Sequence, residues 1–398
     1  MDLSPSTSAV TPVPSMVFVI PVKPADPPVP SLSNLQHTRE RDKALIIFLT
    51  YANGDEDVPP ILTARSDADD MKKYLVEQGY LPDNITILTD DDAAVKPTRD
   101  VILQAIAKFM EGMQHGDRRV FFYAGHGCQV ICKHHTETDG LDEGILVCGG
   151  KGFPFDSAKK TNLDPDEVAK YPGDHPHKEA LKGFISDNEL RKALVDSVPP
   201  GCRLVVSTIT TDALLLMLIP AQAIFDTCHS GTILDLNYHW RWIDENFVTV
   251  PNTSKLKLTR TRVKARTITL VRGAEEVVCR FGEDLYLPRC TSPESILEAE
   301  VVCIASAGDR QTAWSKGDNT MTKAMLNILR SAKSKLTVIE LMRSLLIKLR
   351  QAREESLTIG QHLRSKSEVD RLIKALKNAQ LPQFGSLSRM ARNKNMSF

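Results

Sequence analysis

The sequence lacks any long hydrophobic run. No window approaches the roughly 18 uninterrupted apolar residues of a membrane-spanning helix, and the nearest stretch, residues 213–225, contains Pro220 and Gln222. The shorter apolar run at residues 16–22 has no basic segment before it and is broken by Pro21, so a signal peptide is not expected. These absences predict a cytoplasmic or nuclear protein with no membrane partner.

The sequence also lacks an excess of charge and a regular cysteine pattern. Lysine plus arginine and aspartate plus glutamate both number 50, so no overall field attracts the chain to nucleic acid or acidic membranes. The eight cysteines are irregularly spaced, which favours free thiols in a reducing compartment over a disulfide framework. No aromatic residue interrupts the basic run at residues 255–266, so a solvated strand edge is favoured there and nucleic acid is not an expected partner.

The sequence does contain an alternation of apolar runs and helical patterns. Continuous apolar runs predict strands that are covered on both faces, and apolar residues at helical spacing between them predict helices. The predicted strands are 44–49, 84–88, 120–123, 144–148, 301–305 and, as an edge strand, 383–388. The predicted helices are 64–78, 97–109, 187–195, 320–329, 336–351 and 367–376, with mostly loop between 128 and 200. This order is typical of a doubly wound α/β fold with a mostly parallel sheet.

Two strand ends carry residues that can do chemistry. The apolar run at residues 224–225 leads into Cys228, and the run at 120–123 leads into Gly125-His126-Gly127. A cysteine nucleophile needs a group that takes its proton and later returns one, and histidine does both near neutral pH. Catalytic groups of open α/β sheets gather at the carboxyl ends of the strands. The two strand ends together therefore favour a catalytic pair.

Each of these motifs also has a purely structural interpretation. Cys228 alone fits an inert buried thiol, and Gly125-His126-Gly127 alone fits an ordinary turn. The two glycines are expected to let the backbone turn sharply toward a substrate. His229 is a poor candidate base, because adjacent side chains on an extended backbone point to opposite faces.

The segments around His126 and Cys228 resemble the histidine and cysteine motifs of the metacaspases, type I in domain order. The matching motifs are Phe122–Gly127, Ile224–Gly231, Leu88–Asp91, Pro97–Arg99, Asp139–Glu143, Leu234–Leu236 and Asp309–Thr312, within residues 43–148, 183–238 and 299–388. The resemblance implies a caspase-like fold, a three-layer α/β/α sandwich around a mostly parallel six-stranded sheet. It also implies that Cys228 is the nucleophile, His126 the general base and acid, and the N–H groups of Gly127 and Cys228 the oxyanion hole.

The resemblance further implies the substrate class. The family's primary pocket is acidic, and its carboxylates match Asp67 and Asp226, so cleavage of proteins or peptides after Arg or Lys is expected. Two positions depart from the family pattern. The usual serine before Gly-His-Gly is Ala124, and a cysteine often found near the first helix is Ala64, which reduces the polarity of the pocket. By the same resemblance the chain is expected to be a monomer.

Many members of the family need calcium, a cation that prefers several oxygen ligands. The family's carboxylate ligands match Asp142, Asp187 and Asp235. A fourth position, usually aspartate, is Ser186. Ser186 and Glu189 are predicted to form a helix capping box. Calcium activation with weak affinity is therefore expected. A zinc site is disfavoured because the spacing of its candidate ligands matches no standard finger; these are Cys128, Cys132, His134 and His135.

The expected domain layout follows the resemblance. Residues 1–40 are rich in proline and serine and are expected to be disordered. Residues 41–238 form a part like the large subunit of a caspase, and residues 299–390 a part like the small subunit, with a tail at 391–398. The segment 239–298 is expected to be an irregular basic linker, and the expected self-cleavage sites within it are Lys264 and Arg266.

The strand that leads to the cysteine is interrupted. Family members run from a Gly-x-Arg-Leu start straight into the cysteine motif, whereas here residues 201–205 and 223–226 are separated by the 17 residues 206–222. Val206-Ser207 can be encoded by a splice-donor sequence, and Gln222 by a codon that ends in AG. Splicing can therefore remove the segment from the transcript without changing the reading frame. A retained intron is the favoured hypothesis, and a genuine inserted loop is the alternative.

The sequence thus predicts a cysteine endopeptidase that acts through an acyl-enzyme. One competing interpretation is a catalytically inactive caspase-fold interaction protein, inactive by ancestry or because residues 206–222 distort the strand under Cys228. A third is another hydrolase or transferase that uses the same pair without a preference for basic residues. Cysteine-dependent turnover of a peptide that ends in arginine distinguishes these interpretations.

Overall fold

The computed structural model describes residues 40–52, 58–91, 95–132, 140–156, 158–211, 233–243, 246–251, 268–272, 275–279, 299–306, 320–332, 336–360 and 381–387. Several predicted features lie outside these residues: the leader up to residue 39, His134, His135, Asp226, Cys228, Lys264, Arg266, the helix at 367–376 and the tail. No helix among the described residues is long and apolar enough to cross a membrane.

The described residues contain fourteen strands. They are β1 (Lys43–Phe48), β2 (Ile85–Thr89), β3 (Arg118–Ile131), β4 (Leu141–Leu146), β5 (Phe155–Asp156), β6 (Thr161–Asn162), β7 (Phe184–Ser186), β8 (Arg203–Thr211), β9 (Tyr238–Ile243), β10 (Asn246–Pro251), β11 (Ile268–Arg272), β12 (Glu275–Cys279), β13 (Glu300–Ala305) and β14 (Gln383–Ser386).

The helices occupy the connections between the strands. They are α1 (Ala64–Glu77), α2 (Arg99–Met110), α3 (Pro165–Val168), α4 (Pro176–Lys182), α5 (Asp187–Leu190), α6 (Met321–Ser331) and α7 (Val338–Gly360), with a π-helical turn at Arg191–Val195 directly after α5. The capping box predicted at the start of α5 is present, since Ser186 and Glu189 each accept from the other's backbone N–H. The helical segment predicted at 187–195 is therefore confirmed.

One large sheet organises the chain, with the strand order β10-β9-β14-β13-β8-β3-β1-β2. Strands β2, β1, β3, β8 and β13 are parallel, and β14 is antiparallel to β13. These six strands confirm the predicted mostly parallel sheet. The β9–β10 hairpin, within the segment expected to be irregular, pairs with β14, so β14 is not the edge strand that was expected. Strand β4 branches from β3, and β7 pairs with β4.

Helices cover both faces of the sheet. The crossovers β1-α1-β2 and β2-α2-β3 move in opposite directions along the sheet, so right-handed connections place α1 and α2 on opposite faces. Helix α1 packs against α6, which packs against α7, while α2 packs against the π-helical turn. This is the predicted three-layer α/β/α sandwich, and it explains why β1 and β3 are continuous apolar runs.

Strand β3 differs from its prediction in a way that matters for the site. It was expected to end at Tyr123 with a sharp turn at the two glycines, but it continues to Ile131. Its first part pairs with β1 and β8, and from Gly127 onward it pairs with β4. The described glycines with positive φ do not include Gly125. A side chain at Gly125 would instead overlap the Tyr123 hydroxyl, so glycine is needed there for close packing.

Candidate active site

His126 lies at the carboxyl end of the parallel part of β3, in the middle of the sheet. It is completely buried. Its Nε2 lies 2.7 Å from the carbonyl oxygen of Pro59. A carbonyl oxygen only accepts hydrogen bonds, so this contact assigns the proton of the neutral imidazole to Nε2. Nδ1 is then the nitrogen whose lone pair can take a proton.

Two aromatic rings hold the imidazole from its sides. The centroid of the Tyr51 ring lies 4.6 Å from that of His126 in a tilted arrangement, and Phe153 meets it edge-on at 5.3 Å. Tyr51 and Pro59 both belong to the connection between β1 and α1, which is closed by a hydrogen bond from the Ile61 N–H to the Thr50 carbonyl at 2.8 Å. One loop therefore supplies both the hydrogen-bond partner and a packing surface for His126.

Tyrosine hydroxyls fix the backbone of His126. Its N–H donates to the Tyr51 hydroxyl at 3.0 Å, and its carbonyl accepts from the Tyr123 hydroxyl at 3.1 Å. Both hydroxyls also donate to the Leu146 carbonyl, at 2.5 and 2.7 Å. Burial raises the pKa of both tyrosines well above the usual range, so they are neutral hydrogen-bonding groups at physiological pH.

Asp90 holds the backbone of the Tyr51 loop. Its carboxylate accepts from the N–H groups of Thr50 and Tyr51 at 2.8 and 2.6 Å, and the Thr50 hydroxyl lies 3.1 Å from both Asp90 and Asp91. Tyr51 has a φ of 54°, a left-handed conformation that costs about 1–2 kcal/mol for a residue with a Cβ. The two hydrogen bonds to Asp90 oppose that cost.

Sequence reasoning missed Tyr51, and it named Asp90 only as part of the Leu88–Asp91 motif, without a role. The signal available was their position, since each follows closely on a predicted strand of a parallel sheet, where functional groups collect. The predicted strand alternation placed those ends at one edge. Nothing in the spacing of residues 51 and 90, however, indicates that a carboxylate of one reaches the backbone of the other.

Asp67, expected to bind a basic substrate side chain, is in the first turn of α1 and is 1% exposed. Its Oδ1 accepts from the Thr320 hydroxyl at 2.7 Å. Thr320 is the N-cap of α6 and also accepts from the Lys323 N–H. Asp67 is thus held where α1 and α6 meet. Ala64 and Ala124, the two positions that depart from the family pattern, are also buried.

The carboxylates expected to bind calcium lie around the start of α5. Asp142 Oδ1 is 3.5 Å from the Asn188 side-chain amide, and Asp187 Oδ1 accepts from the Asn188 N–H at 2.6 Å. Asp187 and Asp235 are completely buried, and Arg191 donates to the main-chain carbonyl of Asp235. Within the described part of the chain, no three His, Cys, Asp or Glu side chains form a group that can hold a metal. The calcium prediction for these three carboxylates stays a prediction, and no chemical step is assigned to the ion.

Two of the described cysteines, Cys148 and Cys202, are poor candidates for a nucleophile. Burial raises the pKa of Cys148 to about 11 and raises that of Cys202, so both thiols are protonated near neutral pH and are poor nucleophiles. Cys148 lines a cavity of about 510 Å³ that also borders Tyr51 and Asp90. The cavity therefore adjoins the wall of the His126 site but has no activated thiol of its own.

This chain is similar in sequence to known proteins. Residues 42–169 match the family model described as "Metacaspase, peptidase C14 domain". Metacaspase-1 of Yarrowia lipolytica is 33% identical over 201 residues, which cover 50% of this chain and 33% of the relative. Metacaspase-1 of Candida albicans is 27% identical over 303 residues, 72% of this chain and 56% of the relative. The chain thus spans between about a third and about half of the length of these curated relatives.

Solved structures show weaker similarity. A protein of Geobacter sulfurreducens, GSU0716, aligns with a TM-score of 0.41 and 15% identity over 77% of this chain and 89% of its own. Caspase-1 from Spodoptera frugiperda aligns with a TM-score of 0.36 and 11% identity over 88% of each chain. The fold is therefore defined by the order and pairing of its own strands.

Proposed function

We propose that this chain is a caspase-like cysteine endopeptidase of the metacaspase family that cleaves protein chains after Arg or Lys. The match of residues 42–169 to the metacaspase family model and the similarity to curated metacaspases support the proposal. The observation that carries this proposal is the environment of His126. A buried imidazole at the carboxyl end of a central parallel strand, with Nε2 on the Pro59 carbonyl, is held ready for proton transfer.

In the proposed reaction His126 moves the protons. Nδ1 takes the proton of the Cys228 thiol, and the thiolate attacks the carbonyl carbon of the scissile bond. The Pro59 carbonyl stabilises the imidazolium through the N–H that remains on Nε2. The imidazolium then gives its proton to the leaving amine, and the acyl-enzyme remains. Water, deprotonated by His126, releases the acid product and restores the thiol.

The N–H groups of Gly127 and Cys228 are proposed to stabilise the oxyanion of the tetrahedral intermediate. Gly127 directly follows His126 at the point where β3 changes its partner from the parallel strands to β4. A backbone donor in that position is fixed by the sheet and does not have to reorganise during the reaction.

Substrate preference is proposed to come from Asp67 and Asp226. A buried carboxylate is costly without a charged or hydrogen-bonding partner, and Thr320 supplies one hydrogen bond to Asp67. A guanidinium or ammonium group of the substrate would supply the opposite charge. The alanines at 64 and 124 make the surrounding wall less polar, so selectivity for Arg or Lys rests on the two carboxylates.

Two finer parts of the proposal concern calcium and assembly. Calcium activation is proposed from the carboxylates near α5, without any step through the ion. A monomer is proposed because strand β14 is paired on both sides, with β13 and with β9. The edge of the six central strands at β14 is therefore covered by the chain's own hairpin.

The test uses fluorogenic peptides that end in Arg, Lys or Asp. Because the segment 206–222 begins within β8 and precedes Cys228 in the sequence, the full chain and a variant without this segment are both assayed, each with and without Cys228→Ala. Turnover of Arg and Lys peptides that disappears with Cys228→Ala, in either form, supports the proposal. Cysteine-dependent turnover without the basic preference favours a different hydrolase. No cysteine-dependent turnover in either form favours an interaction protein.

A further inference from the structure

The residue beside His126 on the next strand is not the expected nucleophile. Strands β3 and β8 are parallel, and His126 is in register with Thr211, as Ala124 is with Ile209. Both Ile209 and Thr211 belong to the 17-residue segment 206–222. The position next to His126 on the β8 side is therefore filled by that segment.

Removal of the segment changes which residues fill β8. Without the 17 residues 206–222, residue 228 takes the register position of residue 211, and residue 226 takes that of residue 209. Cys228 then lies directly beside His126, and Asp226 beside Ala124. Neighbouring strands are about 4.8 Å apart, so the thiol comes within reach of the imidazole.

The core also fits the shortened strand better. Strand β8 lies between β3 and β13, where Ser207 is in register with Phe122 and Ile304. Both neighbours are completely buried. A strand covered on both faces is normally a continuous apolar run.

Deletion of residues 206–222 restores that run. Ile224 and Phe225 take the register positions of Ser207 and Thr208, so two hydroxyl residues are replaced by large apolar ones. Burial of such a side chain favours folding by about 1.5–3 kcal/mol relative to leaving it exposed.

We propose that the competent peptidase is the form of the chain without residues 206–222, and that inclusion of this segment switches the site off by placing Thr211, in place of Cys228, beside His126. The proposal rests on the proposed function. A threonine hydroxyl is a much weaker nucleophile than a thiol near neutral pH, so Thr211 does not substitute for Cys228. The possible splice-donor codons at Val206-Ser207 and acceptor codon at Gln222 provide a way to make both forms.

The first experiment compares kcat/KM for an arginine-ended peptide between the full chain and the variant without residues 206–222. We expect the shortened form to be at least about 100-fold more active, the scale of the contribution of a positioned general base. Cys228→Ala removes that activity. A matched control deletes the 17 residues 281–297 from the predicted linker and leaves the activity at the level of the full chain. Equal activity of the full and shortened chains overturns the proposal.

The second experiment does not depend on activity. In the shortened form, His126→Cys is expected to form a disulfide with Cys228, because a disulfide needs Cα atoms about 4.4–6.8 Å apart. In the full chain, His126→Cys is expected to form a disulfide with Thr211→Cys and not with Cys228. Peptide mapping by mass spectrometry identifies the partner. A disulfide between position 126 and Cys228 in the full chain overturns the proposal, even if neither form is a peptidase.

Thermal unfolding provides the control for folding. The restored apolar run predicts that the shortened form unfolds cooperatively at a higher temperature than the full chain. A lower unfolding temperature contradicts the strand assignment. If the disulfides form as expected but neither form shows cysteine-dependent turnover, the register assignment stands while the proposed peptidase function, and the switch with it, fails.

Discussion

The backbone N–H of His126 donates to the hydroxyl of Tyr51 at 3.0 Å, across 75 residues of sequence. The rings of the same two residues are in contact, 4.6 Å apart. Tyr51 therefore fixes both the main chain and the side chain of the proposed base.

Removal of the Tyr51 hydroxyl tests this relationship. Tyr51→Phe keeps the ring contact but leaves the buried His126 N–H without this acceptor, which costs about 1–3 kcal/mol. Urea denaturation is expected to show that loss in the free energy of unfolding. Tyr171→Phe is the matched control, since Tyr171 stacks on His175 through its ring, and it is expected to change stability by less than about 0.5 kcal/mol. Equal stability of Tyr51→Phe and the unmodified chain would contradict the assignment.

Asp90 is expected to act on catalysis through His126. Asp90→Asn keeps the shape of the side chain but replaces one of the two carboxylate oxygens with an amide NH₂ group. That group is a donor, so it cannot accept the hydrogen bond from a backbone N–H. The left-handed turn at Tyr51 is then held less firmly, and kcat falls while KM changes little.

A double-mutant cycle separates this effect from a general loss of structure. If Asp90 acts through the histidine, Asp90→Asn has no further effect on activity in a His126→Ala background. The exposed Asp83→Asn, in the short 3₁₀ helix before β2, is the control. Equal losses from Asp90→Asn in both backgrounds would show that it does not work through His126. The cycle is measured in whichever form shows turnover dependent on Cys228.

Local patterns were enough to predict the central sheet. The cores of strands β1, β3 and β13 are continuous apolar runs, because both faces of these strands are covered, and such runs are visible in the sequence alone. The capping box at Ser186 is equally local, because its two hydrogen bonds join residues three apart.

Long-range contacts were not visible in the same way. The extension of β3 to Ile131 depends on pairing with β4, so it is a tertiary feature that no local period encodes. The support of Tyr51 by Asp90 spans 39 residues.

Cys148 predicts a specific dependence of stability on alkaline pH. Burial raises its pKa in the folded chain to about 11, whereas an unfolded thiol has a pKa of about 8.5. The protonated thiol is thus favoured in the folded state. Its contribution to stability is complete below about pH 8.5 and is lost as the pH rises toward 11. The free energy of unfolding, measured under reducing conditions, is expected to fall less steeply over this range in Cys148→Ala. Parallel curves for the two proteins would contradict the shift.

Calcium is expected to raise the activity of the form that shows cysteine-dependent turnover, with weak affinity because the set of charged ligands is small. A titration of activity against free calcium, with a chelator as the zero point, measures this effect. Asp142→Asn is expected to raise the calcium concentration required, while Asp166→Asn in the short helix α3 leaves it unchanged. Activity that is the same in chelator and in calcium would show that the ion is not an activator of this chain.

Asp67 is expected to determine the preference for basic residues. Asp67→Asn preserves the size of the side chain but removes the charge that a substrate guanidinium would meet. A hydrogen bond to a charged group is worth about 1.5–3 kcal/mol, so kcat/KM for an arginine peptide is expected to fall about 10- to 100-fold. The control is Asp69→Asn, on the exposed side of the same helix. Both variants are compared on the reaction of Cys228 with an uncharged alkylating agent, which does not use the pocket. If Asp67→Asn slows this alkylation as much as it slows peptide cleavage, Asp67 supports the fold around the thiol and does not recognise the substrate.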